Sequence, residues 1–69
     1  MSDDLLREAA VIIVTSQFAA PDRLQRRLHI SYGYAHRLLD ELEQHGVVGP
    51  AQGTQPRDVL VRTVPDSLR

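Results

Sequence analysis

The sequence has no cysteine and no tryptophan, and all eight of its basic residues are arginine. Without cysteine the chain can form neither disulfides nor thiolate-ligated metal sites, so side-chain packing must hold the fold together. At 69 residues the chain is one domain near the lower size limit for an independent hydrophobic core. This size leaves little room for a catalytic cleft and favours a binding module over an enzyme.

Long apolar runs are also missing. The longest, AAVIIV, is far too short to cross a bilayer, and the acidic N-terminus does not resemble a signal peptide. We therefore expect a soluble, cytoplasmic chain.

Charge is unevenly distributed along the chain. The net charge of -1 argues against binding nucleic acid by bulk electrostatics. Residues 21–37 nevertheless carry one acid, Asp22, against four arginines and two histidines, whereas six of the other eight acids cluster at 3–8 and 40–43. This pattern predicts one basic surface.

The stretch 32–45 predicts a long helix. Ser31 is a suitable N-cap, and Gly46 is a suitable terminator because glycine enters the left-handed region at little cost. An apolar stripe at helical spacing predicts the core face: Ala35, Leu38, Leu39 and Leu42. The opposite face carries Gly33, Arg37, Asp40 and Gln44, with His36 and Glu41 at its edges.

A shorter helix over 21–28 precedes it, with Pro21 and Asp22 in its first turn. The residues 29–31 form a tight turn whose corner Ile30 would fill. Two helices joined in this way make a helix-turn-helix, in which the second helix enters a DNA major groove.

The remaining segments complete the fold prediction. A first helix should run over 3–16, capped by Ser2, and Phe18 should pack into the core on a connector that could add a short strand. Apolar strands at 47–48 and 59–62 flank a Gly/Pro loop and predict a β-hairpin wing. The predicted fold class is mainly α with a small β-hairpin: a winged helix-turn-helix of three helices plus wing over 1–62, with a flexible tail at 63–69.

Three stretches together resemble a known family: LQRRLHISY, the pattern AxRLLDELEQHGVVGPA with His36 at its variable position, and GTQPRDVLV. They resemble the C-terminal gamma domain of the FtsK/SpoIIIE double-stranded DNA translocases over about residues 5–62. The resemblance implies a winged-helix module that reads a short polar sequence in duplex DNA and loads or orients a hexameric ATP-driven motor. The chain has no GxxxxGK[ST] phosphate loop, so it is not that motor.

In that family an asparagine, an arginine and a glutamate on the recognition helix read bases. These positions align with Gly33, Arg37 and Asp40, and a neighbouring, commonly basic position is Tyr34. Only the arginine is kept. With the arginine-only composition, these departures favour the Streptomyces plasmid-transfer (TraB-like) branch over the chromosome-segregating branch.

Each candidate base-reading residue also has an ordinary interpretation. Arg37 could pair with guanine or could bridge Asp40 or Glu41 within the helix. Asp40 could accept from a cytosine amino group or could be a solvated acid. Gly33 could allow close backbone approach, and Tyr34 could reach a phosphate or a thymine methyl, whereas Tyr32 is expected to pack on the core.

A second group is expected to contact the DNA backbone: Arg26, Arg27, Ser31, Gln55 and Arg57, with Arg23 a weaker candidate. The alternative for the arginines is a solvated basic face. No cofactor or metal is expected: His36 and Asp40 are one turn apart, but His29 and His45 lie beyond opposite ends of that helix face, and no cysteine is present.

Two classes of function therefore remain open. The leading hypothesis is sequence-specific binding of double-stranded DNA by a domain that is monomeric in isolation, with several copies possible on repeated sites. The alternative, supported by the net acidic charge, is a protein-interaction winged helix. In the family that the chain resembles, a tyrosine recombinase is such a partner, and the parent motor could be anchored at the inner membrane.

Overall fold

A computed structural model describes residues 3–69 and shows a three-helix fold with a small β-hairpin. The helices are α1 (Asp3–Ser16), α2 (Pro21–Leu28) and α3 (Tyr32–Gln44), and a short 3₁₀ helix, Asp66–Leu68, ends the chain. The predicted fold class, three helices plus a wing, is confirmed. Within the described residues, no helix has both the length and the apolarity needed to cross a membrane.

Helix α1 packs its apolar stripe against α2 and α3. Ala9, Ala10 and Ile13 are fully buried and Leu6 nearly so, as the helical spacing predicted. The β-branched run 11–15 also has strand propensity, yet it is helical because burial of this stripe outweighs local preference. The predicted cap, Ser2, lies outside the described residues.

Helix α3 begins and ends at its predicted signals. The Ser31 hydroxyl accepts a hydrogen bond from the Tyr34 backbone N–H at 3.1 Å, which satisfies one free donor of the first turn. At the other end Gly46 has φ +78°, and the Val47 N–H returns to the Leu42 carbonyl at 2.9 Å. The helix stops at Gln44, one residue before the predicted end.

The turn between α2 and α3 is as tight as predicted. His29 adopts a left-handed conformation with φ +56°, and its N–H bonds the Gln25 carbonyl, which closes α2. Ile30 is half-buried against the core cluster, while Leu24 from α2 is fully buried beneath it. These contacts fix the angle between α2 and α3.

The wing is a hairpin built on few backbone pairings. Val48 pairs with Val59, and the Leu60 N–H donates to the Val47 carbonyl at 2.8 Å. At the tip, Gln52 pairs with Gln55 across Gly53, whose φ is +66°. The connector, which could have added a short strand, contributes a single bridge, in which Ala19 pairs with Arg57. The wing is thereby attached to the connector between α1 and α2.

The prediction that Phe18 packs into the core was wrong. Its side chain is 41% exposed, and the Arg23 guanidinium lies 5.1 Å from the centre of its ring. Successive residues of an extended segment point to opposite sides, and it is Ala19 that points inward, fully buried. Phe18 therefore faces out, where an arginine covers it.

The expectation of a flexible tail does not match the packing of the last residues. Leu68 is only 7% exposed, and its carbonyl accepts from Arg7 Nε of α1 at 3.1 Å. Ser67 Oγ lies 3.0 Å from His45 Nδ1 just after α3. These contacts are made with residues far away in the sequence, so no local pattern in residues 63–69 could predict them.

Candidate nucleic-acid interface

The polar face of α3 lies on the surface opposite the core. Its four predicted members, Gly33, Arg37, Asp40 and Gln44, are all exposed, and the edge residues His36 and Glu41 are half-buried. The stripe on the other side, from Ala35 to Leu42, is fully buried. The helix therefore presents one continuous row of hydrogen-bonding groups to the outside.

Arg37 stands near the middle of this row. The intrahelical bridge to Asp40 or Glu41, the alternative weighed above, does not form. Among the described residues no carboxylate lies within ion-pair distance of Arg37. Its guanidinium is exposed and can extend beyond the helix surface.

Asp40 instead pairs with the wing. Arg57 Nη2 donates to Asp40 Oδ1 at 2.7 Å, and Arg57 Nη1 lies 3.5 Å from Glu43 Oε1. The arginine side chain is 6% exposed, whereas the Asp40 side chain is 64% exposed. The side chain of Arg57 therefore extends from the wing to α3, where the two carboxylates cover its guanidinium.

This geometry corrects the expectation for Arg57 as a backbone contact. A guanidinium that is buried, hydrogen-bonded to Asp40 and 3.5 Å from Glu43 cannot extend to a phosphate without breaking the bond to Asp40. Sequence reasoning missed the pair because Asp40 and Arg57 are 17 residues apart and no local pattern links them. Only the return of the wing onto α3 brings them together.

The two tyrosines of the first turn are placed the opposite way from the prediction. Tyr32 was predicted to pack on the core, but it is 53% exposed and meets His36 edge-to-face, with ring centres 4.7 Å apart. Tyr34 is half-buried and packs against the core cluster. Tyr32 faces outward and lines an open cleft.

That cleft separates the wing from the start of α2 and α3 and has a volume of about 310 Å³. Arg26, Tyr32 and His36 line it on the helix side, and residues 51–57 line it on the wing side. Phe18 also lines it. The cleft joins the polar face of α3 to the basic surface of α2, and its aromatic lining was not anticipated from the sequence.

The other backbone candidates are placed differently from one another. Arg26 and Arg27 are exposed on α2, and Gln55 is exposed at the wing tip. Arg23 is half-buried and is held over Phe18. The Ser31 oxygen already accepts from Tyr34, so its hydroxyl hydrogen remains to donate to a phosphate. Residues 3–69 hold no group of three or more potential metal-binding side chains.

Comparison with known proteins agrees with this architecture. The family model of the FtsK gamma domain matches residues 1–62. The chain is 46% identical over 66 residues to the DNA translocase FtsK of Listeria monocytogenes serovar 1/2a, covering 96% of this chain and 9% of that protein. It is 45% identical over 65 residues to the DNA translocase FtsK of Streptomyces coelicolor, covering 94% of this chain and 7% of that protein.

A third relative, the DNA translocase FtsK of Streptococcus pyogenes serotype M3, is 48% identical over 58 residues, which are 84% of this chain and 7% of that protein. The chain thus spans less than a tenth of the length of these relatives. No solved structure matches it.

Proposed function

Because this chain belongs to the FtsK gamma domain family, we propose that it binds double-stranded DNA sequence-specifically and acts as the recognition module of a DNA translocase. The matched region is the gamma domain, and it is not the ATPase motor. The proposed role is to load or orient a hexameric motor on DNA that carries a short polar or repeated sequence.

The guanidinium of Arg37, exposed and without an ion-pair partner among residues 3–69, is the observation that carries this proposal. It projects from the surface of α3 that faces away from the core, where a major groove would meet a helix-turn-helix. An arginine can donate two hydrogen bonds to guanine O6 and N7, which discriminates against other bases by about 1 to 3 kcal/mol. Gly33, one turn earlier, leaves room for the backbone to approach.

Non-specific affinity would come from a small number of arginines. Arg26 lines the cleft, Arg27 is exposed next to it in the sequence of α2, and both can neutralise phosphates. Since the net charge is -1, this contribution is limited, and selectivity must rest on contacts with base edges. Repeated target sites would then increase occupancy by placing several copies side by side on one duplex.

Binding to a pool of random duplexes, followed by selection and sequencing at near-physiological salt, tests the proposal. We expect one short motif to be enriched. Arg37→Ala should weaken binding to that motif by about 10-fold or more, the lower part of the range for one arginine–guanine pair. Enrichment of no sequence, or an unchanged motif and affinity for Arg37→Ala, would refute it.

Arg69→Ala is a matched control for this experiment. It removes the same charge from an exposed arginine whose side chain, among residues 3–69, bonds Asp66 and the Val64 carbonyl of the C-terminal segment. It should leave both the motif and the affinity unchanged. The enriched motif itself separates two biological roles: plasmid repeats favour conjugative transfer, and a G-rich polar motif favours chromosome segregation.

The net charge of -1 and the exposed Val11 on α1 favour a second candidate, a protein-interaction module. Its partner would be a tyrosine recombinase, met on a surface other than the polar face of α3. The parent protein would act in the cytoplasm, anchored at the inner membrane. A recombinase pulldown that survives Arg37→Ala would show that two surfaces exist.

A further inference from the structure

Arg57 is buried, charged and directed at the surface that the proposed function assigns to base reading. Its side chain is 6% exposed, yet its guanidinium ends under two exposed carboxylates of α3. Burying a guanidinium costs free energy unless the group is paired. Here one partner, Asp40, belongs to the polar face of α3, and the other, Glu43, directly precedes Gln44 of that face. The contacts of Arg57 with these carboxylates therefore bear on the proposed DNA interface more than on the packing of the hydrophobic core.

The backbone of Arg57 is fixed independently of α3. Its N–H donates to the Ala19 carbonyl at 3.0 Å, in the pairing that joins the wing to the connector. Its guanidinium then bonds Asp40 at 2.7 Å. Through this one residue the connector, the wing and the recognition helix are held in one arrangement.

The contact also restrains Asp40. An exposed aspartate on a helix surface ordinarily samples several rotamers. The 2.7 Å hydrogen bond to Oδ1 favours one of them, and the Asp40 side chain as a whole is still 64% exposed, so the carboxylate can accept further hydrogen bonds. A carboxylate held in this way can accept from a cytosine amino group at one place in the groove.

From these contacts we propose that Arg57 is a positioning residue of the DNA interface. It holds the Asp40 carboxylate at a fixed place on α3 and so sets the discrimination that Asp40 makes at one base pair. This inference rests on the proposed function, since it requires that α3 reads DNA.

The pair has an electrostatic consequence as well. Asp40 and Glu43 place two negative charges on successive turns of the helix that would face the phosphates. The Arg57 charge beneath them reduces that repulsion without reaching the DNA itself. Loss of Arg57 should therefore weaken binding to every duplex in addition to removing one preference.

Four proteins test the inference in the random-duplex selection: wild type, Asp40→Ala, Arg57→Met and the double variant. Methionine keeps the length and apolar stem of the side chain but removes its charge and its donors. The base pair that Asp40 reads is identified as the one whose preference Asp40→Ala removes. We expect Arg57→Met to reduce that same preference about fivefold or more and to keep the preference assigned to Arg37.

The double variant supplies the decisive comparison. If Arg57 acts through Asp40, then Arg57→Met causes no further loss of preference once Asp40→Ala is present. A merely structural role would instead erode all preferences together, including that of Arg37. Thermal unfolding of each variant, followed by circular dichroism, identifies the proteins that are folded.

Arg57→Lys covers the case in which Arg57→Met does not fold. Lysine keeps the charge and can bond one carboxylate, but it lacks the planar fork that reaches both. We expect an Asp40-dependent preference between those of wild type and Asp40→Ala.

Several outcomes would overturn the inference. If Asp40→Ala removes no preference, if the folded Arg57 variants keep the full wild-type preference, or if Arg57→Met has the same effect in the Asp40→Ala background, Arg57 does not position Asp40. In each case an Arg37-dependent motif would leave the proposed function standing. A wild type that enriches no sequence would overturn both.

Discussion

Replacing Leu68 with alanine should destabilise the domain by about 2 kcal/mol, the lower end of the range for leucine-to-alanine changes at buried sites. Leu68 is 7% exposed and packs under α1, but it lies in a single 3₁₀ turn at the chain end, which can relax into the space left behind. The total stability of a domain of this size is only about 3 to 10 kcal/mol. The loss is therefore a large fraction of it.

Urea and thermal unfolding followed by circular dichroism measure this effect. For a domain of this length, 2 kcal/mol corresponds to a fall in Tm of about 8 to 16 °C. The matched control is Leu60→Ala, which deletes the same atoms from a residue that is 57% exposed on the wing and should change stability by less than about 0.5 kcal/mol. Equal, small effects for the two variants would show that residues 66–69 do not pack on α1 and would restore the expectation of a flexible tail.

Two further predictions concern the helix-turn-helix. Ser31→Ala removes the acceptor of the Tyr34 N–H and should cost about 1 kcal/mol of unfolding free energy, measured by urea denaturation, whereas Ser31→Asp should retain most of it. Arg26→Gln should weaken binding to all duplexes alike and reduce the slope of log K against log salt by about 0.9, one phosphate contact, while Arg69→Gln leaves the slope unchanged. A slope that does not move for Arg26→Gln would remove this residue from the interface.

The helices could be predicted because their signals are local. Ser31 and Gly46 frame α3, and the four buried residues between them repeat at helical spacing. Side-chain capping, the left-handed preference of glycine and amphipathic periodicity each act within a few residues. The sequence therefore places the polar face of α3, including Arg37 and Asp40, without any knowledge of tertiary structure.

The errors arise where distant segments meet. Phe18 and Tyr32 look like core residues by type, yet one alternates with a buried Ala19 and the other borders an open cleft. Leu68 looks like a tail residue by position, yet it is buried against elements near the start of the chain. Residue type and local pattern carry no information about which neighbours the fold supplies.

The Asp40–Arg57 pair also changes how the charge of the domain bears on DNA binding. Counted by sequence, α3 carries three acids and one arginine between residues 37 and 43, which argues against approach to a phosphate backbone. In the folded chain Asp40 and Glu43 are each within ion-pair distance of a buried arginine from the wing, while Arg26, Arg27 and Arg37 remain exposed on α2 and α3. The local field at the interface is thus more positive than the net charge of -1 indicates. Because that difference depends on the contact between Arg57 of the wing and α3, the proposed function implies that the wing would aid DNA binding even where it does not touch the duplex.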